Sequence, residues 1–206
     1  MATTHIDFYF DPICPWCWIT SRWLREVAPQ RDVELAWRPF SLLEKNYGME
    51  GGHGNDEYRA RYETTHRMLR MLEAAREGHG DRAVDDLYLE LGRRFHHDRD
   101  RDPDLGEVLA SAGIPGTLAA AADDPAWDVP IKASMDRAIE SAGYDVGVPL
   151  MVFDDECGFF GPVLSPRPTG AGALELFDAV TTLARHPGFW ELKRDRDGRP
   201  ELGERP

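Results

Sequence analysis

Two thiols separated by two residues, Cys14 and Cys17, are the side chains of this sequence best suited to chemistry; they lie in Phe10-Asp11-Pro12-Ile13-Cys14-Pro15-Trp16-Cys17-Trp18-Ile19. A Cys-x-x-Cys pair can exchange with a disulfide. One thiolate attacks to form a mixed disulfide, and the second displaces the captured group by closing an intramolecular bond. The attacking sulfur has to be ionised near neutral pH, which calls for positive potential around it. The flanking elements supply that potential. Upstream, His5-Ile6-Asp7-Phe8-Tyr9-Phe10 alternates and is rich in strand-forming residues. Downstream, Trp18, Ile19, Arg22, Trp23, Glu26 and Val27 recur at helical spacing, with no further Gly or Pro before Pro29. The thiols therefore fall at a strand-to-helix junction, where first-turn N–H groups lack partners and favour an anion. Cys14, at or just before that turn, is expected to have a lowered pKa and to be the nucleophile. Cys17, nearly one turn further on the same side, is expected to resolve the adduct. Pro15 suits the first helical position, where its missing N–H costs nothing.

Two competing readings of the pair are weaker. Half of a zinc site would need further Cys or His ligands, and Cys157 is the only other cysteine. A purely structural disulfide across so short a loop would constrain the unfolded chain very little. Metal and tightly bound cofactor are therefore not expected. A formal charge of −13 on 206 residues argues against nucleic-acid or anionic-membrane partners. The amino-terminal stretch lacks the basic and apolar regions of a signal peptide, and no apolar run has the length of a membrane span. A reducing, cytoplasmic setting is expected, in which a Cys pair serves redox chemistry.

After the first helix, residues 32–40 alternate Val33, Leu35 and Trp37 against Glu34, Ala36 and Arg38, as a strand with one covered face does. Strand, helix, strand predicts a βαβ unit with parallel pairing. A loop is expected from Ser41 to Gly54. Residues 55–143 then turn helical: stripes at Tyr58–Ala75, Val84–Phe95, Leu105–Ala112, Thr117–Ala122 and Ile131–Ala142, with stops at Gly113 and Gly143. Sheet character returns as a hairpin, Val148–Phe153 with Cys157–Gly161, and Thr169 is placed to cap a last helix. The expected α/β organisation is one domain made of 1–54 and 144–206, interrupted by a helical domain at 55–143.

Some features invite over-reading. Asp98 to Asp104 has the alternating acids of a calcium loop, but Pro103 stands where glycine is required and Leu109 where glutamate is. His96 and His97, as neighbours on a helix, are expected on different faces rather than on one metal. Cys157 reads as a small packed hydrophobe. The charged, Pro- and Gly-rich tail from Arg194 onward is expected to be loosely ordered.

The order of elements resembles a thioredoxin fold carrying the inserted all-helical domain of the DsbA-like family. Within it, Asp11-Pro12-Ile13-Cys14-Pro15-Trp16-Cys17-Trp18-Ile19-Thr20-Ser21-Arg22-Trp23, Phe159-Phe160-Gly161-Pro162-Val163-Leu164-Ser165 and Glu191-Leu192-Lys193-Arg194 are similar to the actinobacterial mycothiol-dependent nitroreductases. That resemblance implies a cytosolic homodimeric reductase using mycothiol as thiol co-substrate, with Cys14 carrying the mixed disulfide and Cys17 resolving it. It also implies a cis Pro149 facing the thiols, with Val148 offering backbone hydrogen bonds to substrate, and it places Asn46 and Tyr58 beside the substrate pocket. The residues themselves add Pro15, Trp16 and Trp18 as apolar, stackable surface near the sulfurs, suited to an aromatic substrate. The alternatives are a FrnE-type protein disulfide reductase or isomerase, and a non-catalytic redox-sensing or zinc-binding module.

Overall fold

Strand β1 (Thr4–Phe10) is buried almost throughout, with only His5 partly exposed, which marks it as an interior strand. In the computed structural model, which describes residues 3–48, 56–196 and 198–206, it pairs in parallel with β2 (Val33–Pro39) and antiparallel with β3 (Leu150–Phe153). The antiparallel hairpin partner β4 (Cys157–Phe160) completes the order β2-β1-β3-β4. Cys157 is half-buried on that edge strand, opposite Phe153.

Helix α1 (Pro15–Val27) follows β1 directly and buries Cys17, Trp18, Ile19, Trp23, Leu24 and Val27. Its far end is held by the last helix, α6 (Gly170–Ala184): Trp23 donates its indole N–H to the Ala173 carbonyl at 3.0 Å and packs on Phe177. The α6 terminus is not capped by the Thr169 hydroxyl. Glu26 of α1 does that job from across the interface, accepting from Gly170 N–H at 2.8 Å, so a long-range carboxylate replaces the local cap.

Between β2 and β3 the chain is helical: α2 (Asp56–His79), α3 (Asp81–Gly92), α4 (Leu105–Ser111), a 3-10 segment Gly116–Asp123, and α5 (Asp128–Ala142). Pro130 lies in the first turn of α5, where no N–H partner is lost. The expected loop after β2 includes a wide helical turn at Glu44–Gly48, and positions 49–55 of that loop lie outside the described residues. An aromatic edge joins the helices to the sheet, Tyr88 of α3 meeting Trp37 of β2 at 5.6 Å, and Trp37 meets Phe8 of the neighbouring strand at 5.4 Å, both T-shaped. Among the described residues no helix is long and apolar enough to cross a membrane.

Candidate active site

Cys14 is the N-cap of α1, with extended backbone angles, and Pro15 is the first helical residue. The Cys14 sulfur accepts the Cys17 backbone N–H at 3.3 Å, one of the first-turn donors that the helix leaves unpartnered. The Cys14 thiol also reaches the Val148 carbonyl at 3.6 Å, across the cis Val148–Pro149 bond. Cys14 is 6% exposed and lines a cleft, whereas Cys17 is 0% exposed behind it. Burial, and then the neighbouring Cys14, push the Cys17 thiol well above its ordinary range. The arrangement separates a sulfur open to small molecules from a protonated one held in reserve.

A buried acid sets the approach to the pair. Asp11 is fully buried and accepts from Ile13 N–H at 3.0 Å and from Leu42 N–H at 2.8 Å, so one carboxylate ties the cysteine loop to the segment after β2. Burial raises its pKa to about 6, against the opposing pull of those two amide donors. Its backbone carbonyl in turn accepts the Cys14 N–H at 3.0 Å. The cue in the sequence was a lone carboxylate amid Phe10, Pro12 and Ile13, with no ion-pair partner adjacent.

His96 and His97 act on the same loop, which the helical-face argument did not foresee. Past Gly92, α3 widens into a π-type turn, Arg93–His97, a geometry common near functional sites. His96 bonds the Pro12 carbonyl at 2.9 Å and stacks on Trp18, while His97 accepts the Trp18 indole N–H at 3.0 Å. Burial drives His96 down to about 3, so its ring is neutral. Trp18 is therefore not substrate-facing surface. It is 0% exposed, enclosed by these two rings, Tyr88 and the Arg22 guanidinium at 4.3 Å.

The cleft beside Cys14 has a volume of about 500 Å³, within the range that holds a small ligand. Pro15, Trp16 and Tyr58 line it, as does Val148, whereas the neighbouring Pro149 is buried. Asn46 is half-buried on the Glu44–Gly48 turn and does not line it. The carboxyl-terminal tail is held rather than loose. Pro200 and Leu202 close one side of the cleft, Arg205 forms a two-pronged pair with Asp98 at 2.9 Å, and Arg196 lies over the Trp16 ring. Composition hid this, because the anchors are single residues scattered through a polar stretch.

A trio able to hold a metal ion, His5, Asp7 and Asp155, lies on and beside β1, away from the cysteine loop. Asp7 there already accepts from Arg38 at 2.7 Å.

With this geometry, comparison with known proteins is informative. The family model described as Rv2466c-like, mycothiol-dependent nitroreductase Rv2466c, matches residues 13–194. The uncharacterized protein Rv2286c of Mycobacterium tuberculosis is 32% identical over 197 residues, covering 94% of this chain and 83% of its own. Among solved structures, a probable DsbA oxidoreductase of Streptomyces coelicolor superposes with a TM-score of 0.59 at 23% identity, covering 94% of each chain. The cytosolic disulfide reductase DsbM of Pseudomonas aeruginosa gives 0.59 at 15% identity, covering 87% of this chain and 100% of its own. The fold is thus of the DsbA-like thioredoxin type.

Proposed function

Because the chain belongs to the family of Rv2466c-like mycothiol-dependent nitroreductases, we propose that it is a thiol–disulfide oxidoreductase that draws electrons from mycothiol and passes them to a nitroaromatic acceptor. One mycothiol thiolate opens the Cys14–Cys17 disulfide, leaving a mixed disulfide on Cys14 and freeing Cys17. A second mycothiol removes the adduct as mycothiol disulfide. The resulting dithiol gives two electrons and two protons to the nitro group, yielding a nitroso compound and water and re-forming the Cys14–Cys17 bond. When the acceptor is itself a disulfide, Cys14 attacks it and Cys17 displaces the captured half.

The observation that carries this reading is the asymmetry of the pair. Cys14 takes a first-turn N–H and opens on the cleft, while Cys17 is buried behind it with its proton held firmly. An attacker met by an N–H donor and a protonated reserve are what a capture-and-release cycle needs. Trp16, Tyr58 and Val148 border the captured group, and Pro15 and the cis Pro149 shape the approach to it. The same reading makes the protein cytoplasmic and homodimeric, with residues 1–54 and 144–206 as the thioredoxin part and 55–143 as the helical part.

The deciding experiment is mass spectrometry of reduced Cys17→Ser protein exposed to mycothiol disulfide. A single mycothiol adduct on Cys14 is expected to persist, while native protein resolves it and Cys14→Ser forms none. An unmodified Cys14 in the Cys17→Ser protein rejects the proposal. Nitroreduction is tested separately by turnover with mycothiol and a nitroaromatic, which Cys14→Ser should abolish.

A further inference from the structure

The walls of the cleft are mostly aromatic and aliphatic, among them Ile13, Trp16, Leu42, Tyr62 and Phe95, yet Arg61 of α2 and Arg101 also line it. Among the described residues the lining includes no carboxylate, in a chain whose formal charge is −13. Neighbouring arginines behave otherwise: Arg59, Arg67, Arg70 and Arg94 each pair with an acid. Arg61 and Arg101 instead rest against rings. Arg61 lies 5.5 Å from the Tyr58 centroid, and Arg101 lies 4.6 Å from that of Phe95 while giving one N–H to the Phe95 carbonyl. These cation–π contacts hold both guanidinium groups beside the rings and leave N–H donors for a ligand.

Arg61 and Arg101 stand at the mouth of an apolar wall with no ion-pair partner among the described residues, and their mutual repulsion, which water screens only in part, is relieved by an incoming anion. Burial lowers the Arg101 pKa, and the Arg61 and Arg99 charges lower it further, so the crowding is felt at the guanidinium itself. Mycothiol carries no ionised acid group, so the thiol co-substrate offers these arginines neutral oxygens but no counter-charge.

We infer that the electron-accepting substrate of this site is an aromatic carboxylate or a similar planar anion, its ring seated on the Trp16–Phe95 side of the cleft and its charge on Arg61 and Arg101. The inference rests on the proposed role of Cys14 and adds the class of molecule it meets. The two arginines then act as specificity residues: they touch the substrate's charge, away from the sulfur.

The test uses two aromatic disulfides as probes of reduced protein carrying Cys17→Ser and Cys157→Ser, so that Cys14 is the one thiol left: the dianionic 5,5′-dithiobis(2-nitrobenzoate) and the neutral 4,4′-dithiodipyridine. In each case the Cys14 thiolate attacks one sulfur, forms a mixed disulfide and expels one aryl thiolate, whose absorbance gives the rate. A change in thiolate fraction alters both rates alike, so their ratio, referred to the same ratio for free cysteine, isolates recognition. Loss of one charge-assisted contact is expected to lower the ratio about tenfold in Arg61→Gln and in Arg101→Gln, with rising salt eroding the native preference. Arg101→Lys, which keeps the charge, should retain most of it, and the exposed Arg61 can be replaced without touching the fold. A native ratio equal to that of free cysteine, or one unchanged in both glutamine variants, overturns the inference. Slow labelling by both probes at a ratio that the arginine variants still lower would sustain the inference and instead reject Cys14 as an activated nucleophile.

Discussion

The indole N–H of Trp18 donates to Nε2 of His97 at 3.0 Å, across 79 residues of sequence. This single bond joins the helix that carries the cysteines to the end of α3, and His96 reinforces it by stacking on the same indole and holding the Pro12 carbonyl. The cysteine loop is thus gripped from the helical segment as well as from the sheet. Replacing Trp18 by Phe removes the donor and part of the stack, and should cost about 1–3 kcal/mol in urea unfolding. Because the indole is enclosed, the labelling rate of Cys14 by a small thiol reagent should stay within about twofold of native, as expected for a change that perturbs no contact at the sulfur. A large loss of labelling at full stability would instead mean that Trp18 meets the substrate.

The same indole depends on a glycine. A Cβ at Gly92 would stand 2.0 Å from Cζ3 of Trp18, whose ring has no exposed direction in which to move. Gly92→Ala should therefore destabilise by about 2–3 kcal/mol, although alanine is the better helix former. The intrinsic fluorescence of the variant should shift as Trp18 is displaced. An unchanged or raised melting temperature would show that the α3–α1 contact is looser than these distances imply.

The tail makes a third case. Leu202 packs against the core and borders the cleft, held by the Arg205–Asp98 pair and by Arg93 donating to the Pro206 carbonyl at 2.7 Å. Exposed ion pairs contribute little to stability and Leu202 is only partly buried, so deleting residues 199–206 should cost no more than about 1–2 kcal/mol in urea unfolding. It should, however, speed alkylation of Cys14 by iodoacetamide, because one wall of the cleft is removed. Equal alkylation rates for the two proteins would mean that the tail does not screen the sulfur.

The sequence made the βαβ start, the helical middle and the returning hairpin legible because each rests on local periodicity, and Cys14 and Cys17 because their spacing is itself the motif. What it concealed was long-range: Glu26 serving α6 in place of Thr169, Leu202 folding back onto the cleft, and His96 with His97 meeting one indole from a widened turn. Trp18 shows the reason most plainly. An aromatic beside a thiol has the same local signature whether it faces substrate or core, and only the α3 end, some eighty residues on, decides between them. Arg61 on α2 and Arg101 in the segment before α4 were hidden likewise, since a charged residue looks solvated until its neighbours are known.

Asp11 and His96 flank the cysteine loop with opposite pH dependences. The folded value of Asp11, about 6, lies above the ordinary 3.8, so its contribution to stability is complete below pH 3.8 and is lost as pH rises through 6. His96 is held at about 3, below its ordinary 6.5, so its contribution is complete above pH 6.5 and is lost as pH falls through 3. Between pH 4 and 6 the two slopes oppose, each on the order of 1.4 kcal/mol per pH unit at most. Asp11→Asn removes one of them. Relative to native protein, the variant should gain stability as pH rises from 4 to 7, by up to about 3 kcal/mol, on top of a pH-independent loss of about 1 kcal/mol for the amide contact that asparagine cannot accept. Urea unfolding of both proteins at pH 4, 5, 6 and 7 gives the difference directly, and cancels the surface carboxylates common to both. A difference that is flat across this range would mean that Asp11 titrates like an exposed acid, and that its two amide donors, rather than its burial, set its charge.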